Sequence, residues 1–118
     1  MIKRTEEKRQ GKNQGTDIGN WHAISALLGF ANKAGKLKFG LSACYQSCAH
    51  KKAKLILLAS DLGENTIRKI ELIIKQNRIK TIVYGTKEQY GLLFNRSNTG
   101  LISVEDRDFA AGIEKVVA

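Results

Sequence analysis

Hydrophobic residues in this chain recur at helical spacing in some segments and at strand spacing in others. From Trp21 to Ala31, apolar side chains return every three or four residues, a spacing that places them on one face of a helix. Asn20 is a suitable N-cap for this helix, and Gly35 is a suitable residue just beyond its C-terminus. The pattern therefore predicts a first helix that begins after Asn20.

Four short apolar segments have the length and composition of β-strands. The first alternates with lysine, as in a half-buried strand, whereas the second is a continuous aliphatic run that fits a strand buried on both faces. The predicted strands are Leu37–Phe39, Leu55–Ala59, Thr81–Tyr84 and Leu101–Val104.

Helical segments are predicted between and after these strands. They are Leu41–His50, Glu64–Gln76, Lys87–Leu93 and a closing helix through Phe109, Ile113 and Val117. The inner face of the first of these helices is predicted to contain Leu41, Cys44, Tyr45 and Cys48. Asp106 or Asp108 is expected to cap the closing helix. The resulting alternation of helices and strands predicts an α/β protein, with one mixed or parallel sheet between layers of helices.

The domain organisation follows from length and polarity. The chain has 118 residues, which fits one domain. Residues 1–19 are polar, with basic residues in excess and no sustained apolar period, so they predict a flexible basic tail ahead of a domain over residues 20–118. No secretory signal or membrane-length apolar run is visible, which predicts a cytoplasmic protein. We expect this protein to be a monomer.

The charge distribution favours a polyanionic partner. The formal net charge is +9, and a domain this basic usually attracts nucleic acid. Residues 18–60 contain six lysines and no acidic residue, so most of the excess lies in this stretch. A solvated basic face is the alternative explanation, and the complete absence of acids in this stretch favours binding.

No pattern in the sequence indicates catalysis, a metal or a cofactor. Residues 29–37 superficially resemble a phosphate-binding loop, but the glycine spacing is one residue too long and Leu37 stands where a magnesium-binding hydroxyl is needed. Cys44 and Cys48 are too few for a metal site and are expected to be buried apolar side chains. His22 has no obvious partner. We therefore expect a protein that is not an enzyme.

Several segments, in order, resemble the bacterial branch of the ribosomal protein L7Ae family. They are residues 27–37 (LLGFANKAGKL), Gly40 opening a helix, residues 52–61 (KAKLILLASD), Glu64-Asn65-Thr66, Gly85-Thr86-Lys87-Glu88 with Gly91, and Val104-Glu105-Asp106 before Phe109-Ala110. The resemblance runs from about Trp21 to the C-terminus. It implies a three-layer α/β/α sandwich, here with a single mixed sheet of about four strands.

The resemblance also implies RNA binding, typically to kink-turns, in which a bulge beside tandem G·A pairs bends a duplex sharply. Such distortion matters because the major groove of regular A-form RNA is too narrow for side chains. In the family, the glycine-led N-terminus of the second helix enters the widened groove. Further contacts come from the loop before the last strand, here about Asn95–Thr99, and from an apolar residue early in the third helix, here Ile67. The positions implied here as RNA-binding are Lys36, Lys38, Gly40, Leu41, Ser42, Ala43, Gln46, Ile67 and Arg96.

These observations predict a non-catalytic protein that binds structured ribosomal or regulatory RNA and is associated with the ribosome or with translation factors. Lys51, Lys52 and Lys54 are expected to add attraction for phosphate. Ala43 and Gln46 stand where many family members have a polar residue and a lysine. The alternative is therefore a translation-associated protein–protein adaptor that keeps the fold without specific kink-turn recognition. An RNA-directed enzyme is the third and weakest hypothesis.

Overall fold

The order of the secondary-structure elements agrees with the sequence prediction. The computed structural model describes residues 17–117, and within them five helices alternate with four strands. These elements are α1 (Asp17–Lys33), β1 (Leu37–Phe39), α2 (Leu41–Ala49), β2 (Leu55–Leu58), α3 (Glu64–Gln76), β3 (Lys80–Val83), α4 (Lys87–Phe94), β4 (Leu101–Val104) and α5 (Arg107–Val117). Across these residues, no helix has both the length and the hydropathy of a membrane span.

The four strands form one mixed sheet in the order β1-β4-β2-β3. Strand β4 is antiparallel to β1 and β2, whereas β2 and β3 are parallel. Leu37 and Leu55 both lie opposite Val104, and Leu55 lies opposite Lys80. Strands β1, β2 and β3 therefore begin at the end of the sheet where β4 finishes.

Helices cover both faces of this sheet. One apolar cluster joins α1, α4 and α5 to the sheet and includes Ile24, Tyr90 and Ile113. A second cluster joins α2 and α3 to the opposite face and includes Cys44 and Ile70. The predicted three-layer α/β/α sandwich with a single mixed sheet is confirmed.

The two central strands hold these layers together. All four side chains of β2 and all four of β4 are buried, and alternate positions enter opposite clusters. Burying one Leu or Ile side chain contributes about 1.5–3 kcal/mol. The prediction that the continuous aliphatic run of β2 is a strand buried on both faces is confirmed.

Helix α1 begins earlier than predicted. It starts at Asp17 and passes through Gly19 and Asn20, so Asn20 is not its N-cap. The extension is possible because one internal glycine costs a helix only about 1 kcal/mol, and no proline stops the chain. Residues 1–16 of the predicted tail lie outside the described residues, and residues 17–19 belong to α1.

The predicted end of α1 is confirmed. Gly35 has a φ of 73°, its N–H donates to Asn32, and the N–H of Lys36 donates to the carbonyl of Ala31. This pair of hydrogen bonds is a Schellman motif, which satisfies the last carbonyls of a helix. The motif turns the chain from α1 directly into β1.

The predicted inner face of α2 was wrong at Tyr45. Cys44 and Cys48 are fully buried, but Tyr45 is 45% exposed, and Ser47 is buried in its place. Positions three and four residues after Cys44 share its side of a helix, whereas the next position is turned by about 100°. The sequence interpretation gave too much weight to the apolar ring of Tyr45 and overlooked a serine.

Ser47 fixes α2 to the central strand through buried hydrogen bonds. Its Oγ donates to Oε2 of Glu105 at 2.6 Å and lies 2.7 Å from the Oγ of Ser103 on β4. Ser103 is fully buried, so its hydroxyl depends on this partner. The network sets the position of α2 on the sheet.

We expect Ser47→Ala to lower the free energy of unfolding by about 1–3 kcal/mol, because it leaves the buried Ser103 hydroxyl without its partner. Urea denaturation measures the change. Ser42→Ala is the matched control, since Ser42 lies on the same helix but is exposed, and it should leave stability nearly unchanged. Equal stability of both variants would contradict this assignment.

We also expect alkaline pH to destabilise the fold from about pH 9. Burial raises the pKa of the Cys44 thiol from 9.0 to about 12. The thiol of the unfolded chain loses its proton at a lower pH than the buried thiol of the folded protein. The stability that the protonated thiol contributes to the folded protein is therefore complete below the unfolded-state pKa and is lost as pH rises toward the folded-state pKa. Urea titrations across this range should show a falling free energy of unfolding, with a shallower fall in Cys44→Ala. Identical profiles for both proteins would contradict the prediction.

Candidate nucleic-acid interface

Three helices begin around one groove at an end of the sheet. Helices α2, α3 and α4 each follow a strand that finishes at this end, where β4 begins. The groove between them has a volume of about 670 Å³. Its walls are formed by Gly40, Leu41, Ser42, Leu62, Gly63, Thr66, Lys87, Glu88, Gly91 and residues 96–101. We call this end of the domain the groove end.

Helix α2 differs from its two neighbours in having an open N-terminus. Its N-cap is Gly40, which offers no side-chain hydrogen bond, and its first turn contains no acidic residue. The first N–H groups of a helix have no intrahelical acceptor and carry a partial positive charge. These groups on α2, from Leu41 onward, are therefore well suited to an external anion or hydrogen-bond acceptor.

The start of α4 is satisfied by the protein itself. Thr86 and Gln89 form a capping box, in which the Thr86 hydroxyl accepts from the Gln89 N–H at 3.1 Å and the Gln89 side chain accepts from the Thr86 N–H at 3.0 Å. The Asp61 carboxylate accepts from the N–H of Lys87 at 2.9 Å. At the start of α3, Glu64 places a carboxylate in the first turn. The N-cap of α3, Gly63, also offers no side-chain hydrogen bond, so among these three helices α2 is the one that has neither a side-chain cap nor an acidic residue in its first turn.

Gly40 allows the loop before β4 to approach the start of α2 closely. Its φ of 90° is disfavoured for residues with a side chain, and its N–H donates to the carbonyl of Leu101 at 2.9 Å. A Cβ added to Gly40 would come within 2.8 Å of the side-chain nitrogen of Asn98. Glycine is therefore favoured here by its backbone conformation, and any other residue would also displace the Asn98 side chain.

Arg96 is held at the groove by aromatic rings. Its guanidinium carbon lies 4.5 Å from the centre of the Phe39 ring, which packs edge-on against Phe94 at a centroid distance of 4.8 Å. Arginine over an aromatic face is attracted by the ring quadrupole. The contact places a positive charge in the groove wall.

The structure brings together only some of the predicted RNA-binding residues. Gly40, Leu41, Ser42 and Arg96 all line the groove. Ile67 is half-buried and packs against the core between α2, α3 and the sheet instead of lining the groove. An apolar side chain at this position of α3 contributes to folding.

Ala43 and Gln46 lie further along α2. Ala43 is half-buried and is the third residue of the helix, so its N–H belongs to the open first turn. Gln46 is exposed and borders a shallower groove of about 330 Å³ together with Tyr45 and Lys69. This second groove shares Leu41 and Ser42 with the first, so both meet at the start of α2.

The predicted phosphate-binding lysines do not form one surface. Lys38 is exposed on β1, two residues before Gly40. Lys36 lies at the far end of β1, where its carbonyl accepts from the N–H of Glu105, and Lys54 donates its N–H to Val104 at the same end. The sequence placed these lysines together because they are close along the chain, whereas the strand register separates them.

We call the far end of the domain the basic end. At this end β1, β2 and β3 begin and β4 finishes. Its cations lie at the starts of these strands, in the connections that lead to them, and at the helix ends next to them. These cations are Lys33, Lys36, Lys51, Lys52, Lys54, Lys75, Arg78, Lys80 and Arg107.

The loop of residues 95–99 was expected to contribute contacts, whereas the groove-wall residues of α3 and α4, such as Thr66 and Lys87, were missed by sequence reasoning. Asn98 has a φ of 61°, a conformation that asparagine adopts more readily than most residues, so the Asn-rich loop of residues 95–98 was a usable signal. Thr99 is 2% exposed, and its Oγ1 has no hydrogen-bond partner among the described residues. Nothing in the sequence indicated that this hydroxyl would be buried.

The potential metal ligands are dispersed over the described residues. In the part of the chain that the structure describes, no three His, Cys, Asp or Glu residues lie close enough together to hold a metal ion. Both cysteines are free and buried, and burial raises the pKa of each thiol. As predicted, they are buried side chains of the core between the sheet, α2 and α3.

Two solved protein structures superpose on most of this chain. A protein of unknown function from Bacillus halodurans superposes with a TM-score of 0.74 at 23% identity, over 80% of this chain and 95% of that one. A 15.5kD RNA binding protein from Giardia lamblia superposes with a TM-score of 0.65 at 18% identity, over 84% and 85% of the two chains. At these identities the similarity concerns the fold.

Sequence comparison identifies the family. No curated protein matches the chain. The model of the ribosomal protein L7Ae/L30e/S12e/Gadd45 family matches residues 22–111, a range that contains the groove and extends from α1 into α5. The resemblance noted in the sequence is therefore confirmed, and the chain belongs to the ribosomal protein L7Ae/L30e/S12e/Gadd45 family.

Proposed function

We propose that this protein binds structured RNA of the kink-turn type through the groove end, as a non-catalytic component of ribosomal or regulatory ribonucleoprotein. The observation that carries the proposal is the open N-terminus of α2 in the wall of a large groove. Family membership and the RNA-binding protein of the same fold from Giardia lamblia support RNA as the partner class.

The chemistry of the groove fits distorted RNA. Backbone N–H groups at a helix start are donors for phosphate oxygens and for acceptor atoms of bases. Ser42 is exposed beside them and adds a hydroxyl that both donates and accepts. Because these donors are backbone N–H groups, the apolar side chain of Ala43 does not reduce the number of donors at the start of α2.

Charge and shape contribute different parts of the binding. Lys87 and Arg96 in the groove wall attract phosphates irrespective of sequence. The groove itself selects RNA whose backbone is bent enough to enter between α2 and the loop before β4. Discrimination between bent and regular RNA is therefore the property that tests the proposal.

We expect tighter binding to a kink-turn RNA than to a matched duplex without the bulge, and we expect the preference to persist as salt rises from about 50 to 200 mM. Equilibrium titration with both RNAs at both salt concentrations measures it. Equal binding to both RNAs that disappears at the higher salt would contradict the proposal and would favour the protein–protein adaptor.

Ser42→Glu is expected to weaken kink-turn binding at least tenfold while leaving the fold intact. A carboxylate in the first turn of α2 repels phosphate, yet it interacts favourably with the helix dipole and so preserves or slightly raises stability. The binding titration and the urea midpoint measure the two effects separately. Ser42→Gln is the uncharged control of matching size and should lose less affinity. Unchanged affinity in Ser42→Glu would remove the start of α2 from the interface.

A further inference from the structure

Charged side chains are divided unevenly between the two ends of the domain. At the groove end, the cations Lys87 and Arg96 are accompanied by Glu88 in the groove wall and by Asp61 and Glu64 beside it. The basic end has nine cations, defined above, and four carboxylates, Glu105, Asp106, Asp108 and Glu114. Most of the positive charge of the folded domain therefore lies away from the groove.

Three of the four carboxylates at the basic end already have partners. Glu114 pairs with Lys80 at 3.2 Å. Asp106 accepts from the N–H of Phe109 at the start of α5, and Glu105 accepts from Ser47. Apart from Lys80, no cation of this end is in an ion pair with another residue of the described range 17–117. The remaining cations are available to a polyanion in solution.

Helix stability accounts for only part of this charge. Lysines near the C-termini of α1, α2 and α3 interact favourably with the helix dipole. Arg107, however, is in the first turn of α5, where the dipole disfavours a cation. Lys54 adjoins the start of β2, five residues beyond the end of α2, outside the last turn over which the helix dipole acts. Their positions are explained by an external ligand better than by folding.

Two cations of the basic end occupy backbone positions that favour other residues. Lys51 has a φ of 61° and Arg78 a φ of 53°, both in the left-handed region. Glycine or asparagine is preferred in such positions after a helix, and other residues are strained there by about 1 kcal/mol. The Nζ of Lys51 donates to the side chain of Asn77 at 3.0 Å, which ties the connection after α2 to the one after α3. Lys51 and Arg78 therefore lie in two turns that are joined by a hydrogen bond.

We infer that the basic end is a second RNA-binding surface, which contacts the phosphate backbone of a regular RNA helix without reading its sequence. The choice of RNA as the polyanion rests on the proposed function. The surface has the chemistry for this partner, because it combines several exposed cations with a shallow groove of about 350 Å³ lined by Lys54, Arg78 and Arg107. One protein molecule can then hold a bent RNA at the groove end and a second RNA helix at the basic end.

The double variant Lys52→Glu/Lys54→Glu tests the inference. Both side chains are exposed, so the urea midpoint should not change. Affinity for a short regular RNA duplex should fall at least tenfold, and the slope of log affinity against log salt should fall by about two, because two lysines no longer bind phosphates. The control variant Lys69→Glu/Lys115→Glu changes the net charge equally at exposed positions away from the basic end and should retain most duplex binding. An equal reduction in the control would overturn the inference, because binding would then follow net charge alone.

A competition experiment separates the two surfaces. The full chain is bound to one equivalent of unlabelled kink-turn RNA, so that no excess of its duplex arms occupies the basic end, and a fluorescently labelled duplex is then titrated and followed by anisotropy. Continued binding of the duplex, abolished by Lys52→Glu/Lys54→Glu, is the expected result, and complete exclusion of the duplex would overturn the inference. Absence of a kink-turn preference in the wild-type protein, with duplex binding still dependent on Lys52 and Lys54, would refute the proposed function and leave the basic end as an RNA surface.

Discussion

The burial of β2 and β4 on both faces is the constraint from which the rest of the structure follows. All eight side chains of these two strands are buried, so helices must cover the sheet on both sides. The chain meets this requirement by placing a helix after every strand. Since β1, β2 and β3 all finish at one end, α2, α3 and α4 all begin there, and their positive dipole ends converge on the groove.

The common direction of β1, β2 and β3 gives the domain two electrostatically different ends. At the groove end, positive potential comes mainly from the backbone N–H groups of α2, and the charged side chains are nearly balanced. At the basic end, helix C-termini carry partial negative charge, and the positive potential comes from lysine and arginine side chains. A ligand at the first end meets oriented donors, whereas a ligand at the second meets mobile cations.

The position of α2 depends on polar contacts inside an otherwise apolar core. The hydrogen bonds of Ser47 to Ser103 and Glu105 connect α2 to the central strand and to the residue that follows it. On the other side, Asn98 and Gly40 set how closely the loop before β4 approaches the start of α2. The groove is therefore shaped by contacts that lie behind its surface.

Local patterns in the sequence were sufficient to predict the elements, their order and the layer arrangement, because hydrophobic spacing and the glycine and aspartate caps act locally. Gly40, Ser42 and Arg96 were located through the resemblance to the family, by their positions relative to its short motifs. Tertiary packing was needed to establish that Lys36 and Lys54 lie opposite the groove, that Ile67 packs into the core, and that Ser47 rather than Tyr45 faces inward. Those outcomes depend on strand register and on helix rotation. Both are set by contacts between residues more than fifty positions apart, such as Ser47 with Ser103, and no local pattern records them.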